Sequence, residues 1–442
     1  MKTAKKAYQG KSIYIIDGSR TPLLKSKATP DSFSASDLAV AAARNLLLRQ
    51  NFNIKDIDEV VFGCVMPGPD EVNIGRVIAL RLGCDVTTTA YTVQRNCASG
   101  MQALDSAAQT ISLGRADLVL AGGTESMSLA PVLFSQAMVV WLSAWSRARK
   151  FSGKMKALSK FRPAYLTPII GLLRGLSDPV VGLSMGQTAE KLAHRFDISR
   201  QQMDEYALQS HLRLAQAHDE NRFDGEIVAL YDKNGRHYVT DTGLRRDSSL
   251  EQLAKLRPVF DKKFGHVTAG NSAQITDGAA CLILASEAAV KKHKLKPIGK
   301  IRDTQWAGLD PSQMGLGPVH AMTPIMKRNK LDISDIDYWE LNEAFAAQVL
   351  ACQKAWNDKD YCISGLGLKE PVGLIPMDKL NVDGGGISIG HPVGTSGARI
   401  VLHLLRTMQQ REGSLGMATL CIGGGQGGAM LIEKLEGEQD DE

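Results

Sequence analysis

Short apolar runs of strand length alternate along the chain with longer segments of helical spacing. The runs are 12–16, 59–65, 91–95 and 117–121; the first is followed by a helical pattern at 36–50 and the third by one at 98–113. This alternation predicts an α/β architecture with buried strands. Helices are also predicted at 185–196 and 199–221.

The same order returns late in the chain. DIDEVVFG at 56–63 is echoed by DIDYWELN at 335–342, and LVLAGGTES at 118–126 by TLCIGGGQG at 419–427. Between the members of each pair a turn of small residues opens a helix: NCASGMQAL at 96–104 and GHPVGTSGARIV at 390–401. An internal duplication explains this, each half supplying one functional turn; chance similarity of short strands is the competing reading. The predicted division is 12–130 with 266–294 as the first half, 131–265 as an insertion, 295–434 as the second half, and 435–442 as a frayed acidic tail. A chain of 442 residues exceeds what one core usually supports, which fits two halves.

Charge alters the picture in one place. Eight basic residues and a single acid, Asp178, lie between Pro131 and Pro179, while the whole chain carries only +5, so the remainder is slightly acidic. A basic segment of that size falls short of a nucleic-acid-binding surface. The seven cysteines (64, 84, 97, 281, 352, 362, 421) form no CxxC pair, and no secretory signal precedes them; reduced thiols in a cytoplasmic setting are expected.

Three turns carry candidate chemistry. Cys97 precedes a predicted buried helix, whose unsatisfied N–H groups and dipole favour a thiolate; a buried structural cysteine is the equal alternative. His391, among Gly, Ser and Thr, sits where the duplication pairs it with Cys97, and is placed to take a thiol proton; taken alone it reads as a surface or capping residue. Cys421 precedes GGGQGG, whose N–H groups can face an oxyanion or cradle a phosphate. Asn342, in LNEAFAAQ, can hold a water or, at less cost, cap a helix.

NCASGMQAL, GGTESMS, NEAFA, GGGISIGHPVGTSGAR and CIGGGQGGA, in this order, with IDGSRTP before them and TAGNS…TDGAA at 268–280, resemble the signature blocks of the thiolase family over residues 12–434. The resemblance implies a five-layered α/β/α/β/α fold of two duplicated halves with an inserted loop domain. It implies that Cys97 is the acylated nucleophile, that His391 activates it, and that Cys421 is the second acid/base. Asn342 would hold a water sharing one oxyanion site with His391, and the N–H groups of Cys97 and Gly423 would form the other. Acyl-CoA and coenzyme A are then substrates, with no tightly bound cofactor and no metal.

Within the family, MGQTAEKLA at 185–193 and the basic insertion resemble the thiolase subunit of a fatty-acid oxidation complex. That implies cleavage of 3-oxoacyl-CoA in β-oxidation, a homodimer or homotetramer, and a hydratase/dehydrogenase α subunit as candidate partner. Residues 133–175 combine apolar and basic side chains as a membrane-surface or docking segment does; a solvated lid is the competing reading. Met185 is expected near the acyl pocket. Ser272 is a weak candidate for a coenzyme A contact, since many thiolases carry that serine one residue later. An acetoacetyl-CoA thiolase, a ketoacyl-synthase type of condensing enzyme and a non-catalytic lipid carrier or scaffold are the alternatives.

Overall fold

The computed structural model describes residue 8, residues 11–27, residue 29 and residues 32–435. The acidic tail at 436–442 and most of the first ten residues lie outside them.

The main strands are β1 (Ile13–Arg20), β2 (Glu59–Gly63), β3 (Thr89–Val93), β4 (Leu118–Glu125), β5 (Thr276–Ala285), β6 (Gly299–Gly308), β7 (Tyr338–Leu341), β8 (Leu415–Ile422) and β9 (Gln426–Lys434). They are joined in the order β7-β8-β9-β6-β1-β5-β4-β2-β3. Reading outward from the β1–β6 junction, both halves run antiparallel, antiparallel, then parallel. The two halves meet over only Ile13–Ile15 and Gly299–Ile301.

The main helices are α1 (Ala35–Leu48), α2 (Ile74–Leu82), α3 (Ser99–Ser112), α4 (Gln136–Arg147), α5 (Phe151–Leu158), α6 (Met185–Arg195), α7 (Arg200–Asp219), α8 (Gly317–Asn329), α9 (Ala346–Asn357) and α10 (Val393–Gln410). The apolar stripes of α3 and α10 face each other and the inner faces of both half-sheets, forming one core. The helices α1 and α2 cover the outer face of the first half, and α8 and α9 that of the second, each over its own core. Five layers result because a sheet apolar on both faces must be covered on both.

Hydrogen bonding makes the duplication concrete. The Asp58 carboxylate accepts the N–H groups of Asp117 and Leu118, and the Asp337 carboxylate those of Ser414 and Leu415. Leu118 therefore corresponds to Leu415. The glycine-rich echo of 118–126 with 419–427 pairs the right strands but is four residues out of register, because it lays one half's strand on the other half's turn. Opposite β3, the second half keeps a single bridge, Trp339 to Leu380.

The chain leaves β4 at Glu125 and re-enters the sheet at Thr276, and α4 to α7 lie in that excursion. Among the described residues no helix is long and apolar enough to cross a membrane.

Candidate active site

The two functional turns ride on the ends of the inner helices. These helices cross where glycines let their backbones touch: a Cβ on Gly100 would lie 2.8 Å from the Ala398 nitrogen, and one on Gly397 would lie 2.5 Å from that of Met101. The Cys97 turn ahead of α3 and the His391 turn ahead of α10 are thereby held together. Asn96 takes a left-handed backbone (φ 43°), a conformation asparagine tolerates, and its Nδ2 donates to the Gly423 carbonyl at 2.8 Å. That bond ties the Cys97 turn to the turn after Cys421.

Cys97 is half-buried and opens on a cavity of about 410 Å3. Burial raises its thiol pKa, against the N–H groups of Gly423 and of Cys97 itself, which favour the thiolate. The helix-terminus stabilisation expected from sequence is thus outweighed by desolvation, and Cys97 rests as a thiol. Cys421 is fully buried on β8. Its pKa is pushed well up by burial first and then by Cys97 and Cys352, which places the two sequence-predicted thiols within electrostatic reach.

His391 is buried, and burial followed by the Arg399 charge pushes it down to about 4, so the imidazole is neutral. Its Nδ1 lies 2.6 Å from the Ser396 hydroxyl, which itself donates to the Pro392 carbonyl at 3.1 Å. With that hydrogen committed, the proton belongs on Nδ1. Nε2 keeps its lone pair and has no partner among the described residues. Asn342 Nδ2 lies 3.5 Å from His391 Nδ1, and Asn342 Oδ1 is buried without a partner. Asn342 does not cap α9, whose N-cap is Phe345 without a side-chain bond.

Met185 lines the cavity with its sulfur close to Gly423. Ser272 does not line it; its hydroxyl donates to the Thr268 carbonyl at 2.7 Å. Much of the wall comes from the insertion, through Leu172, Arg174, Leu176 and Val180. Sequence reasoning missed Ser396, although five residues after His391 it falls one turn into the helix, where it can reach back. It also missed Glu125, a buried carboxyl raised to about 7 by burial. Glu125 accepts the N–H groups of Val65, Met66 and Gly394, and so braces the cavity wall against the start of α10. Among the described residues no three His, Cys, Asp or Glu side chains are grouped to hold a metal ion.

Residues 13–288 match the family "Thiolase, N-terminal domain" and residues 295–434 match "Thiolase, C-terminal domain". The chain belongs to the thiolase family. It is a thiolase acyltransferase with the thiolase α/β fold. It is 38% identical over 427 residues to a 3-ketoacyl-CoA thiolase of Photobacterium profundum, covering 96% of this chain and 97% of that one. Human mitochondrial 3-ketoacyl-CoA thiolase, solved in complex with CoA, superposes with a TM-score of 0.82 at 36% identity, over 96% of this chain and 98% of that one. The Bacillus anthracis acetyl-CoA acetyltransferase gives the same TM-score at 34% identity, over 96% and 99%.

Proposed function

We propose that this thiolase cleaves 3-oxoacyl-CoA with coenzyme A, giving acetyl-CoA and a shortened acyl-CoA, through an acyl group carried on Cys97. The observation that carries the reading is the half-exposed Cys97 thiol on a cavity whose wall also takes Val393, two residues after His391, and Gly423, two residues after Cys421, with the buried Cys421 thiol in electrostatic reach of Cys97 and a bare Nε2 on a neutral His391.

Cys97 gives its proton to His391 Nε2 as its sulfur attacks the 3-oxo carbon, and the N–H groups of Cys97 and Gly423 receive the oxyanion. The bond between C2 and C3 then breaks, leaving acetyl-CoA as an enolate. The enolate oxygen is stabilised by His391 and by a water held on Asn342, and Cys421 supplies the proton to carbon. The high pKa of Cys421 suits this role, since it keeps the thiol protonated until a strong base appears. In the second half-reaction the Cys421 thiolate takes the proton of coenzyme A, whose sulfur attacks the acyl group. Cys97 leaves and recovers its proton from His391.

The apolar cavity wall contributed by Leu172, Leu176 and Val180 favours acyl chains longer than acetoacetyl. A second reading, acetoacetyl-CoA thiolysis, draws on the equal fold match to the Bacillus anthracis acetyltransferase. Mass spectrometry after mixing with 3-oxoacyl-CoA of graded length, without free coenzyme A, tests both. The expected result is an acyl adduct confined to Cys97 and formed with long chains; an adduct elsewhere, or one from acetoacetyl-CoA alone, overturns the proposal.

The insertion supports a further part of this reading, contact with an anionic membrane surface. On α4, α5 and the link between them Val140, Phe151 and Met155 are exposed, as are Arg149, Lys150, Lys154 and Lys156. Co-sedimentation with phosphatidylserine vesicles, lost in K150E/K154E/K156E, is expected. Binding to the hydratase/dehydrogenase subunit without vesicle binding contradicts it.

A further inference from the structure

The loop that runs into His391, GGGISIG at 384–390, buries Ile387 and Ile389 in the core, but its first three residues are glycines with no side chain to pack. What meets that glycine stretch is a carboxylate. Glu343, the residue after Asn342, is buried, and four neutral donors surround it. The Tyr206 phenol and the Asn381 carboxamide donate to Oε1 at 2.9 and 3.1 Å. The Ser210 hydroxyl and the Ile387 backbone N–H donate to Oε2 at 2.7 and 3.2 Å.

These donors come from three separate places. Tyr206 and Ser210 stand one turn apart on α7, in the excursion between β4 and β5. Asn381 follows Leu380, the residue that bridges Trp339 of β7. Ile387 belongs to the loop itself. A Cβ on Gly385 would lie 2.4 Å from the Glu343 carboxyl carbon, and one on Gly386 would lie 2.9 Å from the Glu343 carbonyl. The glycines therefore leave the room that this side chain occupies. Burial, and then the Glu343 charge, hold the Tyr206 phenol well above its usual pKa, so it remains a donor.

We propose that Glu343 is a positioning residue that pins the glycine-rich loop carrying His391 against Asn342 and ties both to the insertion helix α7. The seating of the insertion and the geometry between Asn342 and His391 are then set by one side chain. The inference rests on the roles proposed above for those two residues.

Replacing Glu343 with Gln keeps the shape but turns an NH2 group toward donors that need an acceptor. The informative quantity is kcat per acylatable Cys97, titrated by mass spectrometry, because misfolded protein drops out of it. For E343Q a fall of about 100-fold is expected, with KM for coenzyme A changed by less than about threefold, as a displacement near 1 Å produces. Y206F and S210A should each lower the same quantity by about 3- to 10-fold, and adding either to E343Q should cost nothing more. Wild-type kcat per titrated site in E343Q overturns the proposal. If E343Q does not fold, wild-type values in both Y206F and S210A overturn it. N342A separates the two levels: wild-type turnover there sinks the role of Asn342 itself, whereas a slow N342A beside a fast E343Q sinks only the pin.

Discussion

The two halves of the molecule share a scaffold and, on the proposed reading, divide the chemistry. In each, an aspartate carboxylate fastens the start of the third strand from the centre, and an inner helix begins just after a turn of small residues. The first half puts a cysteine in that turn and the second a histidine. The second half adds Asn342 and Cys421, whose structural counterparts in the first half are Gly63 and Thr124, both without acid or base function at neutral pH. On the proposed reading, duplication supplies two turns, and divergence makes one side nucleophilic and the other a manager of protons.

The strongest way to break this comparison is to remove the proposed nucleophile. C97A should lose turnover by about 10^4-fold or more and form no acyl adduct. On the opposite side, C421A should cost about 10^2- to 10^4-fold in kcat, as loss of a general acid does. Equal and complete loss in both would erase the distinction between the halves. N342A should cost about 100-fold in steady-state thiolysis, the loss expected of one oxyanion donor.

A pH profile sharpens the contrast further. Because His391 is held down to about 4, the base stays neutral from neutrality down to about pH 5. On the acid side, the rate of His391-assisted Cys97 acylation by 3-oxoacyl-CoA should break near pH 4, where Nε2 gains a proton. A break centred near 6.5 would show an unperturbed histidine.

The smallest effect on turnover is expected at His403, on the helix α10 that follows His391. Burial opposes its charge, but Glu226 and then Asp383 prevail and raise it to about 10. It bonds to Glu226 at 2.8 Å, inside a buried cluster with Arg20 and Asp241. H403Q should destabilise the fold by about 3–5 kcal/mol in urea titrations, since it leaves buried charges uncompensated. Turnover per titrated Cys97 should barely move. The stability that this proton contributes is present in full below about pH 6.5 and is lost as pH climbs toward 10.

Strand and helix alternation was legible because buried strands and amphipathic helices leave different periods. The helix expected at 98–113 spans Ser99–Ser112, and that at 199–221 spans Arg200–Asp219. The duplication was legible for the same reason, but its register was not. Glycines attract matching wherever they fall, whereas the true landmark, an aspartate side chain on two backbone N–H groups, has no pattern of its own. Cys97, His391 and Cys421 stood out through their small-residue turns. Glu125 and Glu343 did not, because each acts on backbone or side chains far away in sequence, and a buried carboxylate looks like any surface acid until its donors are known; Ser396, only five residues from His391, did not because its reach back depends on where α10 begins. For Asn342 the residues alone left water-holding and capping both open, because the start of α9 four residues later, which rules out the cap, is not marked in the sequence.

The glycine crossing of the inner helices also fixes what the protein can become. Since backbone rests on backbone at Gly100 and Gly397, a single methyl group there wedges the helices apart and widens the gap between nucleophile and base. New substrate ranges must then arise in the walls, above all in the segment around 172–180, while the spacing of the reacting groups stays locked at the centre.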